Sequence, residues 1–404
     1  GMTAERSGPL KGMRVIDLSH VMAGPVCGLM LADMGADVIK VEKLEGGDDT
    51  RRMLPPDING EPAAFMMMNR NKRGIALDLK HPRGKEVLKR LVATADVLIE
   101  NYRRDTMERL GVGYETLKEI NPGLLYCEIS GFGRTGPLAD QGGFDLVAQG
   151  MSGLMSITGE GPGREPVKVG APVTDITAGI LGAMGVCAAY IHKLKTGEGQ
   201  RVDTSLFEAG ITHTYWQSAI AFATGVSPGP MGSAHPLSAP YQAFPTKDGW
   251  INLGASNQRT WLKLVEVLDD AELAADPRFK DNAGRMGNLP ALVEVLTKHF
   301  KKRTTAEWLA LLERAGVPAG PVLSIREMHA HPQTIAREMV PEVEHPVAGK
   351  VQTIGLPVKF SKTPGKVAAP APLFGQHTRE VLAELGYSSD EIEKLIAERA
   401  VAAA

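Results

Sequence analysis

Short apolar runs alternate with amphipathic stretches along the first half of the chain, and this rhythm predicts a sheet interleaved with helices. Residues 14 to 18 (Arg-Val-Ile-Asp-Leu) read as a short buried strand. Gly24-Pro25 then opens a helix, with proline where its missing N–H costs nothing. That helix carries Val26, Leu29, Met30 and Met34 on one face and stops at Gly35. A strand over 37 to 42 completes a β-α-β unit, whose strands are expected to be parallel with a right-handed crossover. The pattern returns with strands over 74–79, 96–100 and 124–129, and with a helix over 82–95 that turns Val87, Leu88, Leu91 and Val92 inward. Strands alternating with helices predict an α/β fold around a doubly wound parallel sheet.

Beyond residue 170 helices dominate: 176–195, long and apolar, then a strand over 200–206 and a helix over 207–224. Residues 225–239 are rich in glycine, proline and serine and read as a domain boundary. Residues 241–245 and 250–254 flank Thr-Lys-Asp-Gly, a hairpin signal, and helices are expected over 258–268, 290–302 and 304–315. This is the pattern of a smaller α+β domain ending near Gly320-Pro321, followed by a tail with a last helical stretch from Thr378.

Composition narrows the function classes. With 404 residues, 43% apolar and 23% charged, the chain has material for a real core in two or three domains of about 150 residues. A net charge of −2 gives no global reason to expect nucleic acid or an anionic membrane as partner. Cys27, Cys127 and Cys187 are odd in number and far apart, so a reducing cytoplasmic setting is expected, with no disulfide framework and no zinc site. There is no run of about 18 apolar residues, so no membrane span is expected. The start, Gly1-Met2-Thr3-Ala4-Glu5-Arg6, lacks an apolar signal region, and Gly1 before Met2 reads as a cloning scar. Glycine, at 45 residues, is in excess and points to tight turns and close backbone approaches.

Local features carry the chemistry. Residues 69–109 hold eleven basic and six acidic residues, a local +5 inside a chain of −2. Lys85, Lys89 and Arg90 suit a solvated helix face. Lys80 and the Arg103/Arg104/Arg109 group fall near strand C-termini, where ligands of open α/β sheets sit, and suit a phosphate-bearing ligand. Gly131-Phe-Gly-Arg-Thr-Gly136 matches a dinucleotide fingerprint literally, but Pro137 and Asp140-Gln-Gly-Gly143 follow where a helix is required, so a glycine-rich loop is expected. Asp175, just before the apolar helix, reads as an N-cap, and a carboxylate held ionised there can also serve as a nucleophile. His329 and His331 have no further ligands nearby, and Cys27 reads as a small buried hydrophobe.

Taken in order, several blocks resemble the class III CoA-transferases, the CaiB/BaiF family. They are Leu10-Lys-Gly-Met-Arg-Val-Ile-Asp-Leu-Ser-His20-Val-Met-Ala-Gly-Pro25, Gly35-Ala-Asp-Val-Ile-Lys-Val-Glu42, Gly47-Asp-Asp-Thr-Arg51, Asn69-Arg-Asn-Lys-Arg73, Glu100-Asn-Tyr102, Lys195-Thr-Gly-Glu-Gly-Gln200 and Pro372-Leu-Phe-Gly-Gln-His-Thr378. The resemblance implies transfer of CoA from an acyl-CoA donor to a small carboxylic acid through aspartyl anhydride and enzyme thioester intermediates, with no metal. It implies Asp175 as nucleophile, assisted by Asp145, and CoA binding by His20, Val21, Ala23, Lys43, Leu77, Lys80, Asn101, Tyr102 and Arg109. Lys43 stands where relatives often carry arginine, and Phe144 where racemases of the family need a histidine base. Met22 replaces the glutamine of formyl-CoA transferases, so the succinyl-CoA and dicarboxylate type is expected first, with a formyl-CoA-type transferase or an acyl-CoA racemase as alternatives. It further implies an interlocked homodimer and a large Rossmann-like domain built from both chain ends (1–224 and 325–404) around a small α+β domain (225–324). An oxidoreductase using 131–136 with a nicotinamide is the reading from another class.

Overall fold

The computed structural model describes residues 6–404, so the expectations for Gly1 to Glu5 lie outside the described residues. Two compact units emerge. The first runs to Ser152 and takes in Gly170–His213 and Pro332–Ala404; the second comprises Gly153–Val169 and Thr214–His331. The cuts therefore fall at 213/214 and 331/332 rather than at 224/225 and 324/325, and 153–169 groups with the second unit.

The first unit is built on seven strands: β1 (Arg14–Asp17), β2 (Asp37–Glu42), β3 (Arg73–Leu77), β4 (Val97–Glu100), β5 (Leu125–Ser130), β6 (Gln200–Ser205) and β7 (Val401–Ala402), in the order β7-β3-β2-β1-β4-β5-β6. All neighbours are parallel except β7, which runs antiparallel to β3 and brings the end of the chain into the same sheet as its beginning. The central strands are buried on both faces and mostly apolar, with Lys40 and Glu128 as buried charges within them. Their period-2 alternation decides the layer. Ile16, Ile39, Leu98 and Tyr126 enter one core with the helices Pro82–Ala93, Tyr114–Ile120, Thr378–Glu384 and Ser389–Ala397. Val15, Val38, Val97, Ile99, Leu125 and Cys127 enter the other, against α1 (Ala23–Asp33) and a long helix, Val173–Thr196.

That long helix approaches closely because of glycine. A Cβ on Gly179 would stand 2.6 Å from Val26 and 2.7 Å from the Ala23 carbonyl, and one on Gly182 would stand 2.8 Å from Ile129. Small residues let the two helices meet along their backbones, so α1 is buried nearly all round instead of on the single face its sequence suggests. By length and composition alone Val173–Thr196 could cross a membrane, which corrects the expectation that no segment could; here Ala178, Ala183, Val186 and Ala189 are buried in the core. The stretch expected as one helix over 207–224 is two, Leu206–Thr212 and Tyr215–Thr224.

The second unit packs the helices Gln258–Leu268, Leu289–Phe300 and Thr305–Ala315 around a three-stranded antiparallel sheet of Tyr241–Pro245, Trp250–Gly254 and Ala319–Pro321. Arg285 is fully buried there and, among the described residues, forms no ion pair with a carboxylate. It donates instead to the carbonyls of Ala239, Phe279 and Ser256 and to Gln258, which satisfies a charge that burial would otherwise make costly.

Gly179→Val should destabilise the fold by about 1–3 kcal/mol or more, because the added atoms meet backbone that cannot yield. Gly287→Ala, at a position open to solvent, should change stability by less than about 1 kcal/mol. Urea unfolding of both variants checks this, and equal midpoints would contradict it.

Candidate active site

The strands end in loops that buried charge holds in place. Lys40, inside a strand, is 1% exposed and pairs with Asp48 at 2.7 Å while donating to the Ser19 carbonyl at 2.9 Å. Lys72, equally buried, pairs with Asp17 at 2.9 Å and donates to the Pro25 carbonyl. Burial alone would push Asp48 up, but Lys40 and the Thr50 amide outweigh it and leave it well below the usual carboxylate range. The ionised Asp48 receives the Val21 amide at 3.1 Å, holding Val21 at φ +69, which a β-branched residue rarely adopts. His20 is thereby fixed. Its amide donates to Asn101 Oδ1 at 3.1 Å, its carbonyl accepts from Asn101 Nδ2 at 2.9 Å, and its ring lies 5.6 Å from Tyr102. Burial lowers the His20 pKa, so the ring is held neutral at physiological pH.

Three cavities follow one another along this edge of the sheet. The first, of about 390 Å³, has walls of Leu44, Leu77, Leu79 and Leu110 with Lys43, Lys80 and Arg399 around them. It shares Lys43 and Tyr102 with the second, about 120 Å³, which also contains His20 and Lys40. His20 and Tyr102 continue into the third, about 540 Å³, with Asn101, Arg103, Arg104 and the loop from Ser130 to Phe144. Of the residues expected from sequence, His20, Lys43, Leu77, Lys80, Asn101 and Tyr102 line these cavities. Val21, Ala23 and Arg109 do not: Ala23 is buried at the start of α1, and Arg109 is in contact with Thr106 at 3.4 Å.

Gly131–Gly136 is loop, and the next helix, Asp145–Met151, begins only at Asp145, so no helix terminus meets a ligand there as a dinucleotide requires. Gly131 and Gly143 touch backbone to backbone: a Cβ on Gly131 would stand 2.8 Å from the Gly143 amide nitrogen. This contact closes the loop and delivers the chain to Asp145.

Asp145 Oδ1 accepts the Thr174 amide at 3.0 Å and the Thr174 hydroxyl at 2.7 Å, and its Oδ2 accepts from Gln149 at 2.8 Å. Asp145 thus caps a helix it does not belong to. Asp175 is therefore not the N-cap its position suggests. It is the third residue of Val173–Thr196, and Pro172 precedes that helix without a side-chain cap. At that helix end the Thr174 amide and hydroxyl go to Asp145. Asp175 receives burial and, next, the negative charge of Asp145, which push its carboxyl up to about 6 instead of holding it low. A carboxylate of raised pKa is a better nucleophile once ionised. Phe144, in the wall of the third cavity, has no proton to move.

The partners missed by sequence reading left unequal traces. Lys40 inside an apolar strand was a signal, since a buried lysine needs a partner. Gln149, four residues after Asp145 on a helix, was another. Arg399 and the bond from Thr174 to Asp145 join distant segments and left none.

The family model for CoA-transferase family III matches residues 10–378. The chain is 42% identical over 386 residues to the succinate–glutarate CoA-transferase of Agrobacterium fabrum, covering 94% of this chain and 96% of that one. It is 39% identical over 389 residues to the succinyl-CoA:glutarate CoA-transferase of Homo sapiens, covering 96% and 89%. Among solved structures it is similar to a CAIB/BAIF family protein from Brucella suis, with TM-score 0.84 and 40% identity over 94% of this chain and 100% of that one.

Carbon-13 NMR of labelled aspartate should show Asp175 titrating near pH 6. Asp145→Asn removes a negative charge, so the midpoint should fall while burial keeps it above the ordinary value of 3.8. A midpoint that stays or rises would contradict the arrangement.

Proposed function

The chain belongs to CoA-transferase family III, and on that premise we propose that it moves CoA from succinyl-CoA to a free dicarboxylic acid such as glutarate, with Asp175 as the covalent nucleophile. The observation that carries the proposal is the half-buried Asp175 carboxyl, raised to about 6 by burial and then by the charge of Asp145, whose chain neighbour Phe144 lines the third cavity.

The ionised Asp175 attacks the thioester carbonyl, the C–S bond breaks, and CoA leaves as thiolate, giving a mixed anhydride. The thiolate attacks the aspartyl carbonyl and expels succinate, giving an enzyme thioester. The acceptor carboxylate then attacks that carbonyl, forming a second anhydride and releasing thiolate. The thiolate takes the acceptor acyl group and restores Asp175. Each step needs backbone N–H donors at the oxyanion and exclusion of water from an anhydride that hydrolyses readily. The run of cavities suits the CoA chain: leucines for the adenine, cations for phosphates, and the passage by His20 and Tyr102 for the pantetheine arm. Arg103 in the third cavity offers a cation to a distal carboxylate, Arg104 being paired with Asp140 there, which supports a dicarboxylate over a monoacid.

The proposal extends to a homodimer. Ile180, Met184, Ile191 and Leu194 on Val173–Thr196 are exposed, as are Tyr215, Trp216 and Phe222 on the helix Tyr215–Thr224. Exposed apolar surface on each of these two helices supports a protein–protein interface. The free thiols of Cys27 and Cys127 in the core suit the reducing cytoplasm as the working compartment.

Mass spectrometry should show new glutaryl-CoA when succinyl-CoA and glutarate are supplied. Asp175→Ala should lower that rate by about 10³-fold or more, and hydroxylamine added after acyl-CoA should mark Asp175 in the wild type. Exchange at the wild-type rate by the variant would refute the assignment. Light scattering should give twice the chain mass of 43.2 kDa, and a monomer mass would refute the dimer.

A further inference from the structure

The end of the chain carries a cation, Arg399, to which the reaction above gives no particular phosphate. Arg399 stands at φ +58, the left-handed region, immediately before β7. Three backbone bonds fix it there: its own amide to the Ile396 carbonyl at 3.0 Å, the Ala400 amide to the Leu395 carbonyl at 3.0 Å, and the Asp78 amide to the Ala400 carbonyl at 2.9 Å. Pairing of Val401 with Leu77 and of Ala402 with Ala76 sets the register. Arg399 is thus brought beside the end of β3, the strand whose continuation sends out Lys80. The adjacent Glu398 is taken by Arg83 at 3.4 Å, and among the described residues Arg399 forms no ion pair.

Position within the cavities assigns the role. Lys43 lies where the first cavity meets the second, whereas Arg399 and Lys80 line the first alone. A thioester whose acyl end lies in the third cavity, where Phe144 leads into Asp145, places its pyrophosphate near that junction and its adenine among Leu44, Leu77 and Leu79. The phosphate on the ribose, on the far side from the thioester, then falls toward Lys80 and Arg399. We propose that Arg399, together with Lys80, binds the ribose 3′-phosphate, so that the last turn of the chain distinguishes CoA from its 3′-dephospho form. A guanidinium can bind such a group through two parallel N–H bonds, which the point charge of Lys80 cannot do by itself. This rests on the function proposed above.

The test measures KM and kcat with succinyl-CoA and with succinyl-3′-dephospho-CoA for wild type, Arg399→Asn and Arg399→Lys. Asparagine tolerates the left-handed backbone, so the charge is removed and the conformation kept. Wild type should prefer the phosphorylated thioester by about tenfold or more in KM. Arg399→Asn should lose most of that ratio through a raised KM for succinyl-CoA with kcat held, and Arg399→Lys should restore part of it. A wild type without preference, or an Arg399→Asn enzyme with the wild-type ratio or with both KM values raised alike, would overturn the proposal. If wild type exchanges neither thioester, the function proposed above fails instead. Calorimetric affinities for CoA and 3′-dephospho-CoA, across the same three proteins, then still read the ratio.

Discussion

The hydrogen bonds from Thr174 to Asp145 are the contact on which the site depends. Two short segments, distant in sequence, meet with helix N-termini close together, and each N-terminus presents unpaired amides. Asp145 starts one helix and caps the other. An N-cap of this kind contributes about 1 kcal/mol. Its larger effect is on charge: Thr174 donates to Asp145, and Asp175 is left with burial and a negative neighbour. Burial first, and next the charge of the Asp145 that orders the helix, raise the carboxyl beside it.

The precision of that meeting comes from the layers behind it. Val173–Thr196 can lie against α1 and β5 only because Gly179 and Gly182 remove side chains at the contact. Fixing that helix fixes Asp175. On the other side, two buried ion pairs, Lys40 with Asp48 and Lys72 with Asp17, tie the loop after β1 to its neighbours. Buried pairs of this kind add little net stability, but removing one partner would strand a charge, so the arrangement is all or none. His20, Asn101 and Tyr102 inherit their positions from it.

Much of the fold was legible along the chain. The strands at 14, 37, 97 and 125 fall where largely apolar runs place them, because a strand covered on both faces is mostly apolar, whereas Gln200–Ser205 is an edge strand of polar residues. The hairpin around Thr246–Gly249 was readable from turn chemistry. The break between Leu206–Thr212 and Tyr215–Thr224 was not, since both halves favour helix and nothing local marks the stop. Of the candidate site, residues beside strand ends were readable because strand ends are where open α/β sheets bind. Val21 was read as touching a ligand, whereas its amide is committed to Asp48.

By itself the sequence determined the alternation of strands and helices, the smaller α+β segment and the basic stretch from 69 to 109. These depend on neighbours a few residues apart, where periodicity and turn preference act. Tertiary structure alone decided that Asp145 and not Asp175 caps the long helix, that Lys40 and Lys72 are neutralised in the core, and that the last residues return to β3 and bring Arg399 to the leucine-walled cavity. Hydrogen bonds and ion pairs between distant segments have no period along the chain. Their partners exist only once the sheet has brought the segments together.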